Sequence, residues 1–173
     1  MVAWLVDQGY TVFILSWINP GPAQGAETWE SFMQNTSDAI DVALAETKQK
    51  SLNMVGYCAG GALTATMLCH MKKKGDKRVD SATLFTAQTE YSNAGELQVF
   101  VDEETVKVVD EQMDKGYLPA HSMANAFNLL RSSDLIWSYV VQNYMLGKEP
   151  FPFDLLYWNA DSTSMPAQVH HFF

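Results

Sequence analysis

Gly56-Tyr57-Cys58-Ala59-Gly60-Gly61 is the stretch whose reading decides the fold. An apolar, β-rich run, Ser51 to Val55, leads into it, and an Ala/Leu/Met-rich run, Ala62 to Met71, leads out. Strand, sharp turn, helix is the setting of a G-x-nucleophile-x-G elbow. The turn holds its central residue at cramped backbone angles, so small residues must flank it. Gly56 and Gly60 supply them, and Gly61 lets the start of the helix pack closely. Cys58 then stands at a helix N-terminus, where unpaired N–H groups and the dipole favour a thiolate. The N–H of Ala59, next in sequence, points at a developing oxyanion. The same six letters also fit a buried cysteine in an ordinary βα turn, because free cysteine is among the most buried residue types. The flanking strand and helix favour the nucleophile.

Working outward, the chain alternates strands and helices on both sides of the elbow. Met1 to Gln8 reads as the tail of a helix, so the chain is expected to start inside an element. Thr11 to Trp17 is β-branched and aromatic, nearly continuous in apolar residues, as buried parallel strands are. Asn19-Pro20-Gly21-Pro22 stops it. Thr28 to Lys48 is the next helix, with Phe32, Ile40, Ala43 and Leu44 on its buried face. The strand 51–57, the helix 61–74 and a third strand 81–87 follow. This order predicts an α/β fold with a parallel sheet. After Thr89 the rhythm changes, and no further strand is evident. Helices are predicted over 103–115, 119–130 and 134–146, then a short aromatic segment 153–159 and a last helix from Pro166. Residues 1–89 therefore read as an α/β core carrying the elbow. Residues 90–173 read as a helical cap, a kind of element that covers a nucleophile and excludes water.

Composition narrows the function classes. The chain has 173 residues, 47% of them hydrophobic and 18% charged, enough for a globular domain with a real core. A net charge of −9 argues against nucleic acid as a partner. The one basic run, Lys72, Lys73, Lys74, Lys77 and Arg78, falls at the carbonyl end of the helix after the elbow and reads as a solvated terminus. Cys58 and Cys69 lie about 16 Å apart along that helix at roughly 1.5 Å per residue, too far for a disulfide, which implies a reducing compartment. The histidines, His70, His121, His170 and His171, have no Cys or His partner at metal-ligand spacing, so no metal is expected. No apolar run approaches a membrane span.

Longer motifs carry a resemblance. The elbow, the strand end Ser16-Trp17-Ile18-Asn19-Pro20, the run Phe127-Asn128-Leu129-Leu130-Arg131-Ser132-Ser133-Asp134-Leu135-Ile136-Trp137 and the run from Phe153 to Thr163 together resemble class I polyhydroxyalkanoate synthases. The resemblance extends through nearly the whole chain. It implies a partial α/β-hydrolase fold, with parallel strands 11–17, 51–57 and 81–87 and a mostly helical cap. It implies an acyltransferase that polymerises (R)-3-hydroxyacyl-CoA, typically 3-hydroxybutyryl-CoA, into polyester and releases CoA. Cys58 matches the family's acyl-accepting nucleophile. Coenzyme A enters only as the substrate thioester, so no cofactor is expected. The resemblance further implies a homodimer working in the cytoplasm at polyester granules.

The family's general base and its carboxylate partner match nothing here. They are expected downstream of Phe173, and the second oxyanion donor upstream of Met1. Asp161 lies in a motif unlike that of the catalytic Asp. A partial synthase, inactive alone, is the expectation. In the α/β-hydrolase strand order a further strand would separate 11–17 from 51–57, so those two should not pair, while 51–57 and 81–87 should. Two rivals remain: a cysteine-nucleophile hydrolase or thioesterase, which sends water to the acyl-enzyme, and a non-catalytic synthase-like granule protein.

Overall fold

The computed structural model describes residues 1–95, 98, 102–150 and 161–172. The expected segment 153–159 lies outside them. The chain forms two compact units, one of residues 1–17 and 29–92, the other of residues 18–28 and 93–173.

The first unit is built on a helix-strand-helix-strand run. Helix α1 spans Val2–Asp7, α2 Trp29–Thr47, strand β1 Leu52–Tyr57, α3 Ala59–Lys74 and β2 Val79–Phe85. β1 and β2 pair in parallel, from Asn53 opposite Ser81 to Tyr57 opposite Phe85. The two helices are amphipathic for the same reason: apolar side chains recur at three- and four-residue spacing and meet on one face. Ile40 of α2 and Met67 and Met71 of α3 are buried together, with Met33, Leu44, Leu52, Met54 and Val79 packed against them. Thioethers dominate this core because an unbranched side chain fits the irregular gap between helix and sheet. α3 stops at Gly75, which takes the left-handed conformation (φ +71°) that ends a helix without steric cost.

Arg78 departs from the solvated reading of the basic run. Its guanidinium bonds Asp76 through Nε and Nη2, Ser37 Oγ at 3.0 Å, and Asp41. It thereby ties the turn after α3 to α2. The bond from Arg78 holds the Asp76 carboxyl below its ordinary value.

Thr11–Trp17 forms no strand. Phe13, Ile14, Leu15 and Trp17 are exposed, and among the described residues β1 pairs only with β2. A strand needs a ladder partner for its backbone groups. None of the described strands supplies one here, so this run stays irregular, its last ring resting on Phe32 with centroids 4.5 Å apart. Val55, Tyr57, Leu84 and Phe85 are exposed as well. A parallel sheet reads as continuously apolar because both of its faces are normally covered. Here the buried cluster of α2 and α3 packs on the sheet through Leu52, Met54 and Val79.

The second unit contains α4 Glu103–Glu111, β3 Tyr117–Leu118, α5 Ala120–Leu130, π-helical turns Ser133–Trp137 and Val140–Met145, β4 Met165–Pro166 and α6 Ala167–Phe172. The sequence signalled α4, α5 and α6 and missed the two short strands. These pair antiparallel, Tyr117 with Pro166 and Leu118 with Met165, too briefly to leave an alternating pattern. Met113, Leu118 and Ala167 form the local core with Val109, Met123 and Met165, while Val106 is exposed. The expected helix 134–146 is wound instead as two π turns. Leu146 N–H donates to Val141 O, a five-residue step.

Where a division at residue 89 is expected, the first unit runs on to residue 92, and residues 18–28 belong with the second unit. Gly25 backs onto Gly116 so closely that a Cβ on Gly25 would stand 3.1 Å from Gly116 O. Asn19 Oδ1 accepts the Ser164 N–H at 2.8 Å.

Asp102 caps α4 by accepting the N–H groups of Glu104 and Thr105 at 3.0 and 2.8 Å. Asp102→Ala should lower stability by about 1 kcal/mol, read as a shift in the urea midpoint at constant slope.

Candidate functional site

β1 runs straight into α3 through one residue, and that residue is Cys58. Its backbone lies at φ +53°, ψ −124°, in a region that residues with a side chain rarely occupy. Such strain persists only where the surroundings fix it. Three backbone bonds do so. The Cys58 N–H donates to Phe85 O at 3.0 Å, at the end of β2, and Cys58 O accepts the N–H groups of Gly61 and Ala62 at 2.8 and 3.2 Å. The sulfur-bearing side chain is exposed at the tip of the bend. Ala59 is the first residue of α3, so its N–H has no carbonyl within the helix to bond.

The glycines divide by function. A Cβ on Gly56 would stand 2.6 Å from Thr64 Oγ1 and 2.7 Å from both Gly60 O and Gly61 Cα. A Cβ on Gly61 would stand 2.3 Å from the Ala87 Cβ. Gly60 differs: a Cβ there meets nothing within 4 Å. The requirement for a small residue thus falls on Gly56 and Gly61, and the steric reason expected for Gly60 does not hold. Position 60 faces outward at the start of the helix, while 56 and 61 are buried where strand, helix and the 86–87 turn converge.

Sequence reasoning missed the neighbours that complete the bend. Thr64 bonds back to Gly60 O at 2.8 Å and fills the space beside Gly56. Thr86, just after β2, is itself in a left-handed conformation (φ +46°) and turns the chain so that Ala87 abuts Gly61. Tyr91 follows on this loop, its hydroxyl donating to Gln88 O at 2.9 Å. Partial burial pushes the Tyr91 phenol up, and the charge of the Cys58 thiolate adds to the effect. No motif signals Tyr91. Only the parallel register, which brings Phe85 level with Tyr57, places that loop beside the elbow.

His70 is the one histidine of the first unit and does not serve Cys58. It lies twelve residues along α3, about 18 Å away at roughly 1.5 Å per residue. Cys69 is exposed on the same helix, and the two thiols are separate. Asp161 is exposed within the second unit. Among the described residues no group of three His, Cys, Asp or Glu side chains gathers as metal ligands. Nor is any described helix long and apolar enough to cross a membrane.

The second unit holds a histidine–carboxylate contact. His171 Nε2 lies 2.9 Å from Asp110 Oδ1, linking α6 to α4. Next to it, half-buried His170 has its pKa lowered from 6.5, first by burial and then by the charge of His171, with Asp110 opposing. The folded state therefore binds this proton less readily than the unfolded state. Stability should be full above the ordinary histidine range and fall as pH drops below it. His170→Gln should flatten that fall, seen as a weaker dependence of Tm on pH below about 6.5.

The alpha/beta hydrolase fold family model matches residues 1–173. Three relatives make the similarity specific. The chain is 46% identical over 174 residues to a poly(3-hydroxyalkanoate) polymerase subunit of Rhizobium meliloti, covering 99% of this chain and 28% of the relative. It is 47% identical over 175 residues to the poly(3-hydroxyalkanoate) polymerase of Methylorubrum extorquens, covering 100% and 29%. It is 38% identical over 173 residues to the polymerase subunit of Cupriavidus necator, covering 96% and 29%. The chain thus spans a little over a quarter of the length of the curated relatives it matches. A strained cysteine between a parallel strand and its helix, a matching family model and these relatives agree: the chain belongs to the alpha/beta hydrolase fold family and is homologous to its poly(3-hydroxyalkanoate) polymerases.

Proposed function

We propose that this chain is the nucleophile-bearing part of a polyhydroxyalkanoate synthase, an acyltransferase that joins (R)-3-hydroxyacyl units from coenzyme A thioesters. The observation that carries the reading is the exposed Cys58, held at φ +53° between β1 and α3. A thioester exchanges readily onto a thiol because the two thioesters are nearly isoenergetic. The Cys58 sulfur attacks the substrate carbonyl, its proton passes to a base, and the CoA thiolate leaves. As the carbonyl oxygen takes up negative charge, the Ala59 N–H, unbonded within α3, donates to it. The acyl group then rests on Cys58 until the hydroxyl of a further hydroxyacyl unit attacks. A hydroxyl is a poor nucleophile and requires a general base. Nothing in the first unit qualifies, since His70 lies at the far end of α3. The base is therefore assigned outside that unit.

The same reading needs no cofactor beyond the thioester substrate. The protein would work as a homodimer in the cytoplasm, at the surface of its own insoluble product, with the helical cap keeping water from the acyl-enzyme. The test is the fate of the acyl group when the longest natural protein carrying this chain meets 3-hydroxybutyryl-CoA. CoA release with insoluble polymer supports the synthase. CoA release with free hydroxy acid alone means a thioesterase, and no release from an active-thiol preparation means a non-catalytic protein.

A further inference from the structure

A groove of about 740 Å³ opens within the second unit. That volume falls within the ~300–1,000 Å³ usual for small-molecule sites. One wall is a single face of α5, where His121, Ala124, Asn125 and Asn128 follow at three- and four-residue spacing. Leu135 on the first π turn contributes to the lining, as do Ser162 and Ser164. The Ser164 backbone is fixed by Asn19, and π turns inside helices recur at functional sites.

The lining is chemically selective. Its described residues include no Lys, Arg, Asp or Glu. It alternates hydrogen-bonding side chains with Pro119, Ala120, Ala124 and Leu135. Among the described residues neither the Asn125 nor the Asn128 carboxamide has a hydrogen-bond partner, although Asn128 is half-buried. Both carboxamides reach solvent and are open to hydrogen-bond a ligand or water.

We propose that this groove binds a stretch of neutral oligoester through hydrogen bonds donated by Asn125 and Asn128 to its ester carbonyls. This rests on the synthase reading above. An oligoester is an acceptor at every repeat and a donor at none along its length. It carries no charge, and its short alkyl groups need small apolar contacts. Carboxamide N–H groups set beside alanine, proline and leucine supply both.

The probe is a soluble trimer of (R)-3-hydroxybutyrate, acetylated at one end and methyl-esterified at the other, titrated into the 15N-labelled protein. Saturable binding is expected, with shifts at the Asn125 and Asn128 side-chain amides. Asn128→Asp keeps the size and removes the donor, and should weaken binding at least tenfold. Asn125→Asp, at an exposed position that folding tolerates, should also weaken it. No saturable binding, or unchanged affinity in both Asp variants, overturns the proposal. So does a preference for pantetheine, whose amides can donate to an Asp carboxylate. Acylation of Cys58 by hydroxybutyryl-CoA is followed in the same samples. Its loss speaks against the synthase reading, whereas lost trimer binding with acylation intact is the result expected of a groove variant.

Discussion

Cys58→Ala reduces CoA release from 3-hydroxybutyryl-CoA on the order of 10³-fold or more, down to the uncatalysed background. The expectation follows from the chemistry of the step. If the acyl chain is carried on sulfur, removing the sulfur removes the intermediate, and neighbouring groups cannot compensate. Cys58→Ser is the informative companion. It preserves shape and the strained φ of +53°, but a hydroxyl is far less ionised than a thiol at neutral pH, and acyl transfer onto it forms an ester that returns its acyl group poorly. A trace of single-turnover acylation without polymer is expected. Cys69→Ala is the control for thiol reagents, because Cys69 is equally exposed and lies well along α3. Full activity in Cys58→Ala would remove the basis of the proposed mechanism.

Gly56→Ala lowers stability by about 3 kcal/mol, while Gly60→Ala leaves it unchanged or raises it by up to about 1 kcal/mol. Two of the three atoms that a Cβ at position 56 would strike, Gly60 O and Gly61 Cα, are backbone at 2.7 Å. Backbone cannot turn aside as the end of a flexible side chain can, so β1 and α3 must separate. The separation moves Cys58, and acylation should fall together with stability. Gly61→Ala belongs to the same class, since its Cβ would overlap that of Ala87 at 2.3 Å. At Gly60 nothing lies within 4 Å, and alanine is the better helix former near the start of α3. Urea midpoints of the three variants decide the matter. Equal losses at 56 and 60 would mean that the elbow is not packed as described.

Much of the site was legible because one local pattern states it. Glycine, cysteine and glycine at fixed spacing, after a β-rich run and before a helix-forming one, specify a strand-turn-helix without reference to the rest of the chain. The pairing of β1 with β2 was legible for the same reason, as both strands flank α3. What escaped depends on contacts remote in sequence. Thr11–Trp17 has the composition of a strand, yet composition cannot supply a ladder partner. Tyr91 and Ala87 reach the elbow through the register of a neighbouring strand. The union of residues 18–28 with the second unit turns on Gly25 against Gly116 and Asn19 against Ser164, pairs separated by 91 and 145 positions. The π winding of 133–137 and 140–145 leaves no signature that separates it from an apolar α-helix.

The most direct measurement is the intact mass of the longest natural protein carrying this chain after brief exposure to 3-hydroxybutyryl-CoA, followed by peptide mapping. The account predicts a hydroxylamine-labile hydroxybutyryl adduct on the peptide containing Cys58, lengthening by further units with time. An adduct confined to Cys69, or CoA released with Cys58 never modified, would contradict it.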